Sequence, residues 1–229
     1  MSKDKKQGGN MYLLLAEEDR DLIHSLKRYL EHSGFEIDCA YDGIQALNYL
    51  KTEKYDLAII DTKLPRMSGS KVIESISASS VELPVLAITN MLELNDDILS
   101  LKIKIADYLN KPFFIKDFKH TLDSVISNLS SDDFDIGKVS ISPSKFKMTN
   151  LNSSVYITSR EIDCLRFLIN TGNSYTSINE LTNVISKSDT ITDSGIYVKS
   201  INNKLKDINS NFHIGDFEKK GYKVVYNYD

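Results

Sequence analysis

The chain has 229 residues and a formal net charge of −4 that is spread unevenly along its length. Residues 1–135 hold 16 Lys/Arg and 23 Asp/Glu, a net −7, whereas residues 136–229 hold 12 and 9, a net +3, which is typical of a regulatory domain joined to an anion-binding domain. No apolar run is long enough to span a membrane, and no signal-peptide pattern is present. Cys39 and Cys164 are expected to be small buried apolar residues and not a disulfide or metal ligands. We therefore expect a cytoplasmic protein without a membrane partner.

The first half alternates between strand-like and helix-like segments. Residues 1–10 are polar and glycine-rich and are predicted to be a disordered extension. The predicted strands lie at 11–16, 35–40, 55–60, 83–89 and 106–110, and the predicted helices at 21–34, 43–53, 70–80, 92–104 and 115–129. This order predicts an α/β fold over residues 11–129, with a doubly wound five-stranded parallel sheet of the flavodoxin-like type.

The second half of the chain has a different pattern of predicted secondary structure. Residues 130–135, SSDDFD, form a predicted polar linker, after which short β-prone pieces such as KVSIS and SVYIT appear. Three helical stretches follow, at 158–171, 178–186 and 194–208. The final segment, FHIGDFEKKGYKVVY, predicts a hairpin that turns near residues 219–221. Helices followed by a terminal hairpin predict a winged helix-turn-helix domain over residues 136–229.

Three carboxylates are predicted to meet at the carboxyl edge of the parallel sheet. Asp61 follows the apolar run Leu57–Ile60, and Glu17 and Glu18 follow the first strand. In open parallel sheets, ligand sites gather at this edge. Three neighbouring carboxylates repel one another unless a cation neutralises them, and oxygen ligands with room for water suit Mg²⁺.

Two further side chains are predicted at the same edge. Thr89 ends the fourth strand, and Lys111 follows the fifth. Phosphoryl transfer to a carboxylate needs a nucleophile, a metal ion, and a cation and hydroxyl for the remaining charge. Taken singly, Glu17 and Glu18 also suit the start of a helix and Lys111 an ordinary surface position. Their joint spacing favours the phosphoryl-transfer interpretation.

Four segments carry a family resemblance: LLLAEED, IIDTKLPRMSG, PVLAIT and ADYLNKPF. In order and spacing they resemble the receiver domain of two-component response regulators. From about residue 11 to its end, the chain resembles the OmpR/PhoB subfamily, whose members are transcription regulators and not enzymes. The resemblance implies that a sensor histidine kinase phosphorylates Asp61 and that this change biases dimerisation and DNA binding.

The resemblance also implies what surrounds the acceptor. The implied residues are Glu17, Glu18, Asp61 and the main-chain carbonyl of Lys63 for Mg²⁺, Thr89 and Tyr108 for a switch pair, and Lys111, before a cis bond to Pro112, for the phosphate. The chain departs from the family at Glu18, where Asp is usual, and at Asn90, where a small residue is usual. Lys63 could pair with Asp61 and weaken Mg²⁺ binding. A receiver that works without phosphorylation therefore stays open as an alternative.

The second half resembles the DNA-binding domain of the same subfamily. In the segment TDSGIYVKSINNKLKDI, the apolar residues Val198, Ile201, Leu205 and Ile208 form the predicted core stripe. The opposite face is expected to enter the major groove of DNA, with the hairpin as a wing. The expected DNA contacts are Ile196, Tyr197, Lys199, Ser200, Asn202, Asn203, Lys204, Lys219 and Lys220.

The kind of DNA site follows from the basic residues. Ser200, Asn202 and Glu218 stand where the subfamily usually has arginine, so mainly lysines remain. Lysine neutralises phosphate but does not read a base edge through two parallel hydrogen bonds. We therefore expect a site of two A·T-rich half-sites about one helical turn apart. A protein-interaction adaptor without DNA binding is the alternative of another class.

The remaining implied partners are proteins. The resemblance implies RNA polymerase as a partner and a homodimer through the receiver domain. The subfamily pairs receivers through charged residues on the last two helices and the last strand, but Thr121 and Asp123 stand where arginines are usual. We therefore expect a more apolar pairing face that involves Ile103 or Ile105.

Overall fold

A computed structural model describes the chain in six stretches. They cover residues 10–78, 83–90, 105–172, 174–185, 194–217 and 220–227. The chain divides into two compact units, and among the described residues those up to Ile115 form the first and those from Lys116 onward the second. The predicted disordered segment, apart from Asn10, and the predicted helix at 92–104 lie outside the described residues.

Five parallel strands and the helices between them build the first unit. The elements are β1 (Tyr12–Ala16), α1 (Arg20–His32), β2 (Glu36–Ala40), α2 (Gly43–Thr52), β3 (Leu57–Asp61), α3 (Gly69–Ser77), β4 (Val85–Asn90) and β5 (Asp107–Lys111). The strand order is β2-β1-β3-β4-β5, and every neighbouring pair is parallel. The predicted doubly wound sheet is confirmed. Its order reverses between β1 and β3, where ligand sites of such sheets form.

Local chemistry fixes where the first helices begin. The Asp19 carboxylate accepts two N–H groups of the first turn of α1, at 2.9 and 3.1 Å, and Asp42 accepts one from α2, at 2.8 Å. These caps satisfy N–H groups that have no partner inside the helix. α1 buries Ile23, Leu26 and Leu30, so the helical periodicity of the sequence reflects its packed face.

Gly69 lets the start of α3 approach the end of β3 very closely. A Cβ atom at this position would lie 1.8 Å from the carbonyl oxygen of Asp61 and 2.9 Å from a methyl group of Ile60. Both neighbours are buried in the sheet, so neither can move aside without disturbing the strand. The glycine therefore fixes the backbone that carries Asp61.

The second unit combines an antiparallel sheet, four helices and a hairpin. Its elements are α4 (Ile115–Leu129), β6 (Phe134–Ile136), β7 (Val139–Ser142), a short 3₁₀ turn, β8 (Lys147–Asn150), β9 (Ser153–Tyr156), α5 (Ser159–Asn170), α6 (Ile178–Ile185), α7 (Gly195–Asp207), β10 (Phe212–Phe217) and β11 (Gly221–Tyr226). β6 to β9 form one sheet in sequence order, and β10 pairs with β11. The elements after the linker follow the predicted winged-helix arrangement, but β6 begins inside the predicted linker, and α4, predicted as the last helix of the receiver, falls almost entirely in the second unit. Across the described stretches, no helix is both long and apolar enough to cross a membrane.

Polar side chains join α4 to α5 within the second unit. Ser124 donates to a carboxylate oxygen of Asp163 at 2.7 Å, and Arg160 donates to the hydroxyl of Thr121 at 2.7 Å. Thr121 is almost fully buried. This surface of α4 is therefore covered by α5 of the same chain.

The expected pairing face of the receiver must be corrected in part. Ile105 is only 5% exposed, so it is buried in its own chain and does not present an apolar surface to a partner. Thr121 is covered by Arg160, whereas Asp123 is exposed. Ile103 lies outside the described residues. The homodimer itself stays a prediction, without Ile105 in its interface.

The close approach at Gly69 gives a stability prediction. Substitution Gly69→Ala should lower the free energy of unfolding by about 1–3 kcal/mol, because the new methyl group overpacks a buried strand end. Urea titration followed by circular dichroism measures this change. Ser70→Ala is the control, since Ser70 is exposed in the same helical turn, and it should change stability little. Equal stability of both variants would show that the strand end yields to the methyl group.

Candidate functional site

The ammonium group of Lys111 lies between two buried carboxylates at the carboxyl edge of the sheet. Its Nζ is 2.6 Å from Oε2 of Glu17 and 2.5 Å from Oδ2 of Asp61. Glu17 is fully buried and Asp61 nearly so. Three strands therefore contribute to one cluster, because Glu17 follows β1, Asp61 ends β3 and Lys111 ends β5.

Main-chain N–H groups hold the other oxygen of each carboxylate. Oε1 of Glu17 accepts from the amides of Glu18, at 3.0 Å, and Asp19, at 3.1 Å. Oδ1 of Asp61 accepts from the amide of Lys63 at 2.6 Å. Both carboxylates are thus oriented by the chain that immediately follows their strands. The main-chain amide of Lys63 contacts Asp61, and the ammonium of Lys111 lies beside the same carboxylate.

Burial and pairing pull the proton affinities of this cluster in opposite directions. Burial raises the pKa of Glu17, although the contact with Lys111 lowers it in part. Burial alone would lower the pKa of Lys111, but its hydrogen bonds to Asp61 and Glu17 outweigh this and raise it. Lys111 therefore stays charged at neutral pH and balances the carboxylates.

Of the expected switch pair, Thr89 lies near the carboxyl end of β4, whereas Tyr108 is the second residue of β5 and lies further from this edge. Thr89 is buried at the end of β4, and Tyr108 is buried in β5, the neighbouring strand, opposite Ala87. The bond between Lys111 and Pro112 is cis, as expected. Glu18 is exposed at the rim of the cluster.

The donor chemistry of this edge fits Mg²⁺. Within the described stretches, no three His, Cys, Asp or Glu side chains converge closely enough to hold a metal by themselves. Mg²⁺ takes hard oxygen ligands and keeps several waters, so one or two carboxylates and a main-chain carbonyl are sufficient. The four expected ligands, Glu17, Glu18, Asp61 and the carbonyl of Lys63, would supply such oxygens.

A second group of predicted residues lies on α7, where the structure exposes one stripe. Ile196 is 48% exposed, and Lys199 and Asn203 are exposed on the same face. The predicted core stripe is confirmed, since Val198, Ile201, Leu205 and Ile208 are all buried. Lys206 extends the exposed stripe by three residues beyond Asn203 and was not predicted. Lys206 could have been predicted from the sequence, because its spacing from Lys199 and Asn203 places it on the same face of the helix.

Two of the predicted contacts on α7 face inward. Ser200 donates to Oε1 of Glu161 at 2.6 Å, and Nζ of Lys204 lies 2.6 and 2.9 Å from the two oxygens of Glu161. All three residues are buried. The predicted exposure of Ser200 and Lys204 is wrong, because a buried glutamate at the start of α5 needs a cation and a donor.

Glu161 also caps its own helix. Its Oε2 accepts from the amide of Thr158 at 2.7 Å, and the Thr158 hydroxyl accepts from the amide of Glu161. The residues Thr158 to Glu161 read TSRE, a capping box that is visible in the sequence. Lys204 lies three residues after Ile201 of the core stripe. Together these signals could have predicted the buried pair.

The remaining predicted contacts have mixed positions. Asn202 is half-buried, and its amide exchanges two hydrogen bonds of 2.8 Å with the main chain of Ile214, which ties α7 to β10. Tyr197 is half-buried, and its hydroxyl accepts from Arg160 at 3.4 Å. Lys220 is exposed near the hairpin turn. Lys219 lies outside the described residues.

A family model matches nearly all of the first unit and the beginning of α4. Residues 13–123 match the family described as response regulator receiver domain. The chain is 36% identical to the transcriptional regulatory protein TctD of Salmonella typhimurium over 116 residues, which cover 51% of this chain and 52% of TctD. The chain thus spans about half the length of that relative. The parallel sheet and its acidic edge define a response regulator receiver.

Other similarities extend over the whole chain. The response regulator ArlR of Staphylococcus aureus is 24% identical over 216 residues, which cover 93% of this chain and 98% of ArlR. A solved structure of a RitR mutant shares the fold with a TM-score of 0.65 at 18% identity, covering 95% of this chain and 100% of that one. DrrB of Thermotoga maritima, an OmpR/PhoB homologue, has a TM-score of 0.50 at 17% identity, covering 94% and 99%. Residues 13–123 thus match the response regulator receiver family, and a relative that extends over the second unit is described as a response regulator.

The role of Lys111 in charge balance gives a prediction. Lys111→Met should lower the free energy of unfolding by about 3 kcal/mol, because two buried carboxylates lose their shared cation. Added Mg²⁺ should raise the melting temperature of this variant more than that of the native chain, since the ion takes over part of the neutralisation. Differential scanning calorimetry with and without Mg²⁺ measures both effects.

Lys119→Met is the matched control, since it removes the same charge from an exposed position of α4. It should leave stability and the response to Mg²⁺ nearly unchanged. Equal losses in the two variants would contradict a special role for Lys111.

Proposed function

We propose that the chain is a DNA-binding transcriptional response regulator whose state is set by phosphorylation of Asp61. The observation that carries the proposal is the cluster of Glu17, Lys111 and Asp61 at the point where the strand order of the sheet reverses. The second unit supports an output role, because it presents a winged-helix arrangement with an exposed stripe on α7. The description of TctD as a transcriptional regulatory protein supports the same role.

The cluster suits phosphoryl transfer from a phosphohistidine of a sensor kinase. An oxygen of Asp61 forms the new P–O bond while the P–N bond of the donor breaks, and the leaving imidazole takes up a proton. The amide of Lys63 and the ammonium of Lys111 hold the carboxylate in one orientation, so it is positioned before the donor arrives. Lys111 then balances part of the charge on the phosphoryl oxygens.

Mg²⁺ is the proposed cofactor of this step. When bound, it neutralises phosphoryl oxygens and the acidic edge. Glu17, Glu18, Asp61 and the carbonyl of Lys63 would hold it. The longer side chain of Glu18, in place of the usual Asp, is exposed, so it has room to adjust its position at the rim.

The exposed stripe of α7 is the proposed DNA-reading surface. Ile196 offers an apolar contact for a thymine methyl group, and Asn203 offers an amide that matches adenine. Lys199 and Lys206 supply positive charge for the backbone. Because these residues include no arginine, we propose A·T-rich half-sites, bound by two copies side by side. RNA polymerase and the homodimer remain proposed partners on the family resemblance.

A regulator that binds DNA without phosphorylation is the second candidate. The observation in its favour is that both oxygens of Asp61 already have donors and that Lys111 already balances the acidic edge. The adaptor without DNA binding has less support, because lysines recur along the exposed stripe of α7.

Mass spectrometry tests the acceptor. Incubated with Mg²⁺ and acetyl phosphate, the native chain should gain one phosphoryl group, and Asp61→Asn should gain none. Asp123→Asn, which removes an exposed carboxylate, should gain one as the native chain does. Equal gain in Asp61→Asn would remove Asp61 from the acceptor role. No gain in the native chain would favour the phosphorylation-independent regulator.

Salt-dependent binding tests the proposed DNA surface. For a duplex with two A·T-rich half-sites, Lys206→Ala should lower the slope of log affinity against log salt by about 0.9, the effect of one lost phosphate contact. Lys145→Ala removes the same charge from an exposed position outside α7 and should leave the slope unchanged. Ile196→Ala should mainly relax the preference for one thymine. A slope that is insensitive to Lys206 would contradict this surface.

A further inference from the structure

The outer face of the hairpin carries a small aromatic and basic cluster. The segment before α6 pairs with β11, since the amides and carbonyls of Thr176 and Tyr222 exchange hydrogen bonds of 2.9 and 2.7 Å. Both residues are buried. Their chain neighbours Tyr175 and Lys223 therefore lie on the opposite, outer face, because successive residues of a strand alternate between faces.

The ring of Tyr175 is held by Phe217. Gly215 lies directly opposite Lys223 in the hairpin, and a Cβ atom at Gly215 would lie 2.7 Å from the ring of Phe217. The missing side chain thus leaves room for the Phe217 ring to fold over the strand. Phe217 meets Tyr175 edge to face, with ring centres 5.1 Å apart and planes at 74°, an arrangement that favours one ring orientation.

Two ammonium groups converge on the same exposed ring. Nζ of Lys220 lies 5.3 Å from the centre of Tyr175, and Nζ of Lys223 lies 5.4 Å from it. Tyr175 remains 42% exposed. Among the residues that the structure describes, neither lysine has a carboxylate partner. The two like charges repel each other, and the electron-rich ring offsets part of this repulsion, so an added anion would stabilise the pair further.

We propose that Tyr175 is a positioning residue that gathers Lys220 and Lys223 into a clamp for one backbone phosphate of duplex DNA. This inference rests on the proposed DNA-binding function and assigns the outer face of the wing to it. A phosphodiester suits the clamp, because lysine acts as a point charge and reads no base edge. The contact would add affinity without sequence preference and would fix the position of the wing on the duplex.

Two substitutions of Tyr175 separate its ring from its bulk. Tyr175→Phe keeps the aromatic face, so the affinity of the full chain for an A·T-rich duplex and its salt slope should equal the native values. Tyr175→Leu keeps an apolar side chain against Phe217 but removes the aromatic face. Its affinity should fall about two- to fivefold, and its salt slope should fall by about 0.9. Fluorescence anisotropy over a series of salt concentrations measures both.

A double-substitution cycle tests whether Tyr175 acts through the lysines. Lys223→Met keeps most of the aliphatic stem and removes the charge, and it should cost less affinity in the Tyr175→Leu chain than in the native chain. Lys138→Met, at an exposed site outside the hairpin, should cost equally little in both. If Tyr175 had a purely structural role, Tyr175→Leu would lower the melting temperature, and Lys223→Met would cost the same affinity in the native and in the Tyr175→Leu chain. That result would overturn the inference.

The outcomes distinguish this inference from the function on which it rests. A native chain that binds no duplex overturns both. A native chain that binds, with an unchanged slope in Tyr175→Leu, overturns the clamp alone. If Tyr175→Leu does not fold, Lys220→Met and Lys223→Met, singly and together, test the clamp instead. Two lysines that bind one shared phosphate should give losses of affinity that are less than additive. Additive losses would overturn the clamp. Inorganic phosphate that competes as well as DNA at equal phosphate concentration would overturn the assignment to a duplex.

Discussion

The receiver depends on one ammonium group placed between two buried carboxylates. Without Lys111, Glu17 and Asp61 would lose the cation that they share, and carboxylates that are buried without a partner are strongly disfavoured. The two ion pairs of Lys111 also tie the end of β5 to the ends of β1 and β3. A change of charge at Asp61 therefore acts on three strands at once.

The second unit also contains a buried glutamate that is neutralised by a lysine. Glu161 caps α5, is fully buried, and receives Lys204 and Ser200 from α7. The ion pair fixes α7 against α5. The opposite face of α7 carries the exposed stripe. In both units, a buried glutamate paired with a lysine sets the position of the elements that carry the proposed sites.

Most of the fold could be predicted from the sequence, because the secondary structure follows local patterns. Apolar runs marked β1 and β3, and the four-residue spacing of leucines marked α1. Asp61 and Lys111 were predicted as partners since parallel strands end at one edge, which makes strand order sufficient to bring them together. The core stripe of α7 followed in the same way from its periodicity.

The sequence by itself determined the elements, the acidic edge with its lysine, and the core face of α7, since each depends on spacing along the chain. Only the tertiary structure decided which polar residues face inward. Ser200 and Lys204 carry side chains that suit DNA, yet Glu161, about forty residues earlier in the chain, draws them into the core. Ile105 suits an interface, yet its own unit buries it. Burial depends on distant segments, and periodicity does not specify which segment will cover a residue.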